Sequence, residues 1–198
     1  MPIDLAALPP AIRAFVAIRL ARESEDAIAR LIDSVRDRAS GVRWIAPTKL
    51  HLTLCFLGPA APAERITELD GAIGGITAAY APFDIVARGA GAFPNLRRPR
   101  VIWIGIEATG LAELAECIAA AARSVGFEIE HKPFEPHLTI GRVRGAIRDW
   151  ARAREILEAG SAAGFGISRV ERVMLYRSMP GPAGSEYHEL ESYRLAGG

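Results

Sequence analysis

The triplet His-Leu-Thr occurs twice in this chain, at positions 51–53 and 137–139, each time inside an apolar run. The first run reads Leu50-His51-Leu52-Thr53-Leu54-Cys55-Phe56-Leu57-Gly58. The second reads Pro136-His137-Leu138-Thr139-Ile140-Gly141-Arg142-Val143. Both have the length and the apolar, β-branched content of strands. Side chains two apart on a strand share a face, so each His projects together with its Thr. Leu52 and Leu54, and likewise Leu138 and Ile140, then point into a core. Only four histidines exist, and from the abundance of Leu and Thr a chance recurrence of the triplet is on the order of 1 in 100, which favours internal duplication. His131 and His188 lack the Thr partner and read as structural, one in a loop and one in a strand.

The rest of the chain alternates helices with strands. A strand is expected over Ile12–Leu20, then an amphipathic helix over Arg22–Arg38 with Ala27, Ile28, Leu31, Ile32 and Val35 on one face. A short strand at Val42–Ile45 and a turn at Pro47–Lys49 lead into the first His strand, which Gly58-Pro59 closes. Helices are expected at Glu64–Ala79, Leu111–Val125 and Ile147–Ala159. Extended segments are expected at Phe83–Phe93, Arg100–Ile106, Val170–Ser178 and Tyr187–Leu195, with a loop at Gly181–Gly184 between the last two. This order implies an α+β fold. With the duplication, it suggests a single two-lobed domain over residues 1–198. The lobes would be pseudo-symmetric, mainly antiparallel sheet with outer helices, and the His faces would meet in a cleft between them.

Composition limits the partners. The net charge of +1 argues neither for nor against a nucleic-acid partner, but the charge is unevenly spread. No acid lies between Asp84 and Glu107, where Arg88, Arg97, Arg98 and Arg100 fall, nor between Glu135 and Asp149, where Arg142, Arg144 and Arg148 fall. Such local basic stretches suggest a focused anionic site, although a general preference for Arg over Lys would also produce them. Cys55 and Cys117 fit neither a disulfide framework nor a metal spacing, and read as reduced thiols. The first residues do not resemble a signal peptide, and no stretch reaches the roughly 18 apolar residues of a membrane span. A cytoplasmic monomer that does not engage the membrane is the expectation.

Two histidines and two threonines facing one cleft suit chemistry at a phosphate ester. Imidazole titrates near neutrality, so one ring can act as base while the other acts as acid. In-line displacement at phosphorus needs such a pair on opposite sides. Threonine hydroxyls can hydrogen-bond the non-bridging oxygens as charge builds. Each motif offers one good metal ligand and no carboxylate, so neither metal nor cofactor is expected.

These residues resemble the two-histidine (2H) phosphoesterase superfamily, specifically the RNA 2′,3′-cyclic phosphodiesterases once named 2′-5′ RNA ligases. The resemblance covers nearly the whole chain. It includes Arg13-Ala-Phe-Val-Ala-Ile18, Arg43-Trp44, both His runs, Gly91-Ala-Phe-Pro94, Arg98-Pro-Arg-Val-Ile-Trp103, Leu175-Tyr-Arg-Ser178 and Tyr187. It implies that His51 protonates the leaving 3′ oxygen, that His137 activates water, and that the product is a 2′-phosphate. Thr53 and Thr139 would hold phosphate oxygens. It further implies that Arg142, five residues after the second His, contacts phosphate. Phe56, at the matching position after the first, could stack a base. Strict alternation opposes both, since an offset of five places Phe56 and Arg142 on the core face unless a bulge intervenes; Gly141 could permit one. Arg97, Arg98 and Arg100 are candidates for the RNA backbone. The resemblance also implies weak reversible 2′-5′ ligation. Other readings are a phosphodiesterase acting on 2′-5′ oligonucleotides or small cyclic nucleotides, and a non-catalytic RNA-end-binding module. The intact His-x-Thr pair speaks against the last.

Overall fold

The computed structural model describes residues 8–181 and 184–197. It contains strands β1 (Ala11–Ile18), β2 (Val42–Trp44), β3 (Leu52–Pro62), β4 (Phe83–Phe93), β5 (Val101–Glu107), β6 (His137–Val143), β7 (Gly164–Val170), β8 (Arg172–Gly181) and β9 (Gly184–Arg194). The helices are α1 (Arg22–Arg36), α2 (Ala63–Ala78), α3 (Leu111–Ser124) and α4 (Trp150–Ala159). All strands join one sheet in the order β7-β4-β5-β6-β3-β1-β8-β9, with β2 beside β6. Every pairing is antiparallel. The architecture is the expected α+β arrangement.

The duplication is visible in the strand order. β3, β1 and β8 mirror β6, β5 and β4 about the centre of the sheet. The sequences β1-α1-β3-α2-β4 and β5-α3-β6-α4 followed by β8 are equivalent, and the last strand of each crosses to the other half. Helical apolar stripes cover one face: Ile28 and Ile32 of α1, Leu69 and Ile73 of α2, and Leu114 and Ile118 of α3 join Val16, Leu52, Ile104 and Leu138 in one buried core. Burying such aliphatic side chains, at about 1.5–3 kcal/mol each, holds the helices on that face. The opposite face carries a small separate cluster of Phe15, Ala17 and Tyr176, packed against Met174 and Tyr187.

The two halves meet at one residue pair. Leu52 pairs with Leu138, and no other β3–β6 pairing occurs among the described residues. Past that point β2 takes the β6 edge, with Val42, Arg43 and Trp44 opposite Val143, Arg142 and Gly141. The Ile45 N–H also donates to the Ile140 carbonyl at 2.9 Å. Among the described residues β2 has no counterpart in the other half, so here the two-fold relation breaks.

Each His strand carries a bulge at the same offset. On β3 the register steps from Val16↔Cys55 to Ala17↔Thr53, which leaves Leu54 extra. On β6 it steps from Ile102↔Gly141 to Trp103↔Thr139, which leaves Ile140 extra. An extra residue inverts the alternation beyond it. Leu54 and Cys55 are both buried, as are Ile140 and Gly141. Phe56 and Arg142 therefore emerge on the His face. Strict alternation fails at these positions for that reason. Gly141 is not needed for the bulge as such, because Cys55 holds the equivalent place. A Cβ at Gly141 would lie 2.9 Å from Val42 Cγ1 and 3.0 Å from Trp44 Cε3, so it is β2 that demands the glycine.

Other departures are local. β7 was not expected, and the strand predicted from Val170 is split into β7 and β8. Gly164, Gly166 and the polar pair Ser168-Arg169 obscure its pattern. Buried Ser168 accepts from the Ala21 N–H at 2.9 Å and hydrogen-bonds Ser24 Oγ at 3.1 Å, a role alternation cannot show. Ile147–Asp149 precede α4 rather than starting it, and Asp149 has φ 53°. Pro182 and Ala183 of the expected loop, and the first seven residues, lie outside the described residues. No described helix is long and apolar enough to cross a membrane.

Gly141→Ala is expected to destabilise the fold by about 1–3 kcal/mol through overpacking against β2. Gly145→Ala, where a Cβ meets nothing within 4 Å, should stay within about 0.5 kcal/mol of wild type. Denaturant midpoints at constant m-value test this contrast.

Candidate active site

The Leu52↔Leu138 pair organises the site. Continuing its antiparallel register by one residue sets His51 opposite Thr139 and Thr53 opposite His137. Both leucines are fully buried, so their four neighbours project from the other face. All four line one open cleft of about 1260 Å³.

The two imidazoles are held alike. His51 Nδ1 lies 2.9 Å from the Lys49 carbonyl oxygen, and His137 Nδ1 lies 2.7 Å from the Glu135 carbonyl oxygen, two residues upstream in each case. A carbonyl can only accept, so Nδ1 carries hydrogen in both rings and Nε2 is left for a ligand. Nε2 is a base when the ring is neutral and an acid when it is charged.

Their surroundings differ. Phe15 stacks on His51, with centroids 4.8 Å apart and planes at 28°, and Tyr187 meets it edge-on at 4.9 Å. His137 has an edge contact with Phe93 at 5.0 Å, and Phe93 in turn packs on Trp103. Burial pushes the His51 pKa below its ordinary value, since the charged ring loses water. The bond to Lys49 opposes this, while the positive charges of Arg142 and Arg19 add to it.

Arg142, Phe56 and Arg100 also line the cleft. Phe56 is 42 % exposed, and the Arg13 guanidinium lies 4.4 Å from its ring centroid. One ring face is thus covered, and at most the other is open to a base. Arg98 is not among the cleft-lining residues. Its N–H and that of Arg97 both donate to Asn95 Oδ1, closing a turn on which both side chains are exposed. Sequence reasoning gave no individual role to Arg13 or Arg144, nor did it stack Phe15 on His51. Arg13 and Phe15 could have been paired from their spacing in β1, which puts both on one face. Among the described residues no acid lines the cleft. No group of three or more potential metal-ligating side chains forms among them either.

An antiparallel α+β sheet presenting two His-x-Thr segments to one cleft defines a two-histidine phosphoesterase. The family model described as LigT like Phosphoesterase matches residues 18–103 and again residues 104–187, and the chain belongs to this family. His51 and His137 lie equally far into their respective matches, in keeping with the duplication. The chain is 33% identical over 185 residues to a protein of Methanothermobacter thermautotrophicus named RNA 2′,3′-cyclic phosphodiesterase, covering 93% of this chain and 99% of that protein. A crystal structure of a Thermus thermophilus protein superposes with a TM-score of 0.80 at 33% identity, covering 94% of this chain and 99% of that one. The E. coli LigT structure in complex with 3′-AMP gives a TM-score of 0.72 at 28% identity, covering 93% of this chain and 98% of that one.

Phe15→Leu opens one face of the His51 ring to water. Since burial lowers this pKa, relief should raise it. NMR titration of His51 is expected to show the upward shift.

Proposed function

We propose that the chain hydrolyses RNA 2′,3′-cyclic phosphodiester ends to 2′-phosphomonoesters by paired imidazole catalysis. The observation that carries this reading is the register across Leu52↔Leu138, which places two Nδ1-anchored imidazoles and two threonines on one face. The name of the Methanothermobacter relative and the 3′-AMP held by E. coli LigT support the substrate class.

Neutral His137 takes a proton from water through Nε2 as the water oxygen attacks phosphorus. The bond from phosphorus to the 3′ oxygen breaks, and protonated His51 delivers its Nε2 proton to that oxygen. Thr53, Thr139 and Arg142 hold the non-bridging oxygens, where charge accumulates. Each ring ends in the other's starting state, and exchange with solvent resets both. Because the cleft offers two imidazoles and, among the described residues, no carboxylate, the chemistry is assigned to these side chains without a metal. A 5′-hydroxyl in place of water would run the same steps to a 2′-5′ linkage. The same steps run backwards cleave that linkage, so joining is reversible, and water diverts part of the cyclic phosphate to the 2′-phosphate. The chain acts as one two-lobed domain, because each half contributes a His-x-Thr segment to the site.

The lowered His51 pKa fixes a pH dependence. An acid must be protonated, and the protonated fraction falls as pH rises through its pKa. In the free enzyme, the limb of kcat/KM that His51 sets should therefore lie below the usual imidazole value of about 6.5. Arg142→Gln removes a nearby positive charge, so it should move that limb upward while lowering kcat/KM.

An oligonucleotide ending in a 2′,3′-cyclic phosphate, incubated with EDTA, should be opened to a 2′-phosphate. His51→Ala and His137→Ala should each reduce turnover about 10²–10⁴-fold. Loss of activity with chelator, or a 3′-phosphate product, would contradict the proposal.

A further inference from the structure

The cleft is far more positive than one cyclic phosphate requires. Six arginines and one lysine line it, with no acid among the described residues. Arg142 is assigned to the reacting phosphate. Arg43 stands directly opposite it across the β2–β6 pairing, and Arg144 follows two residues on. Arg142 and Arg144 are exposed while Val143 between them is partly buried, so both point to the cleft, about 6.6 Å apart along the strand. The Arg144 N–H donates to the Gly41 carbonyl at 2.9 Å, which fixes it beside β2. Like charges directly opposite on paired strands repel. Nevertheless, none of Arg43, Arg142 and Arg144 has a carboxylate within 4.0 Å among the described residues. Among the described residues, no anion offsets that repulsion.

We propose that Arg43 and Arg144 form a subsite for the backbone phosphates on the 5′ side of the reacting end, so that the enzyme selects an oligoribonucleotide strand over a cyclic mononucleotide. The spacing of Arg142 and Arg144 along β6 suits successive phosphates of an extended single strand. The strand runs from the His and Thr quartet past Arg142, over the β2–β6 edge, toward Arg144. β2 supplies this track on one side of the sheet alone, because only one half of the described chain has such a strand. The track therefore also fixes the direction in which the RNA lies. This inference rests on the proposed hydrolysis of cyclic phosphate ends and specifies the substrate for it.

The test compares cyclic-ended mono-, di- and tetranucleotides at fixed salt, for wild type, Arg43→Gln, Arg144→Gln and the double variant. Wild-type kcat/KM should rise about 10-fold or more from mononucleotide to tetranucleotide, mainly through KM. The double variant should lose most of that gain. Added salt should depress the tetranucleotide reaction more steeply than the mononucleotide reaction. Equal wild-type kcat/KM at all lengths would overturn the inference, as would equal losses for every substrate in the double variant. Fluorescence anisotropy with labelled oligonucleotides ending in a 3′-phosphate gives an independent decision. If no cyclic end turns over, the functional reading fails, while length-dependent binding that is lost in the double variant still supports the subsite.

Discussion

A single cross-strand pair, Leu52 with Leu138, joins the two halves of the sheet. The geometry of the candidate site depends on it. Its buried side chains lock the two strands to one core, and the residues on either side must then face the cleft. Because pairing goes no further, the strands can diverge and leave room for a substrate. The paired bulges at Leu54 and Ile140 complete the arrangement by turning Phe56 and Arg142 to the side of the histidines. A continuous ladder would have buried an arginine, at a cost of several kcal/mol for an unpaired charge.

The departures from two-fold symmetry have local causes. β2 fills the edge of β6 but not the equivalent edge of β3, so Gly141 stands where the other half has Cys55. The same strand brings Arg43 beside Arg142. On the other side of the centre, Phe15 and Tyr187 enclose His51, whereas among the described residues the aromatic ring against His137 is Phe93, perpendicular to it. Two rings with the same backbone anchor thus sit in unlike surroundings, and burial pushes the His51 pKa down. In the proposed substrate complex, the negative charge of the phosphate would offset Arg142 and favour the charged form of His51. On the proposed mechanism His51, as the proton donor, is therefore charged most readily when substrate is present.

Much of this was legible in the residues. The repeated triplet revealed the duplication, the sharing of a face by His and Thr, and the core role of the intervening leucines. Helical periodicity located α1 to within two residues at its C-terminal end. What alternation could not show was its own interruption. Nothing in Leu-Cys-Phe announces a bulge, and Ile-Gly-Arg only hints at one, because the extra residue is set by pairing with β1 and β5. β7 was hidden for a related reason: between its buried Phe165 and Val170 the inward position is Ser168, held by hydrogen bonds at the start of α1, while Gly164, Gly166 and Arg169 are exposed. Arg98 shows the opposite limit. It resembles Arg100 in composition and neighbourhood, yet the Asn95 turn leaves it outside the cleft.

The central claim is that equivalent strands carry opposite proton-transfer roles. It is tested most directly with a 3′-deoxynucleoside 2′-(4-nitrophenyl phosphate), whose leaving group departs without an acid. His51→Ala should hydrolyse this ester at close to the wild-type rate while failing on the cyclic phosphate, and His137→Ala should fail on both. Equal loss of 4-nitrophenolate release in the two variants, or retention only in His137→Ala, would contradict the assignment.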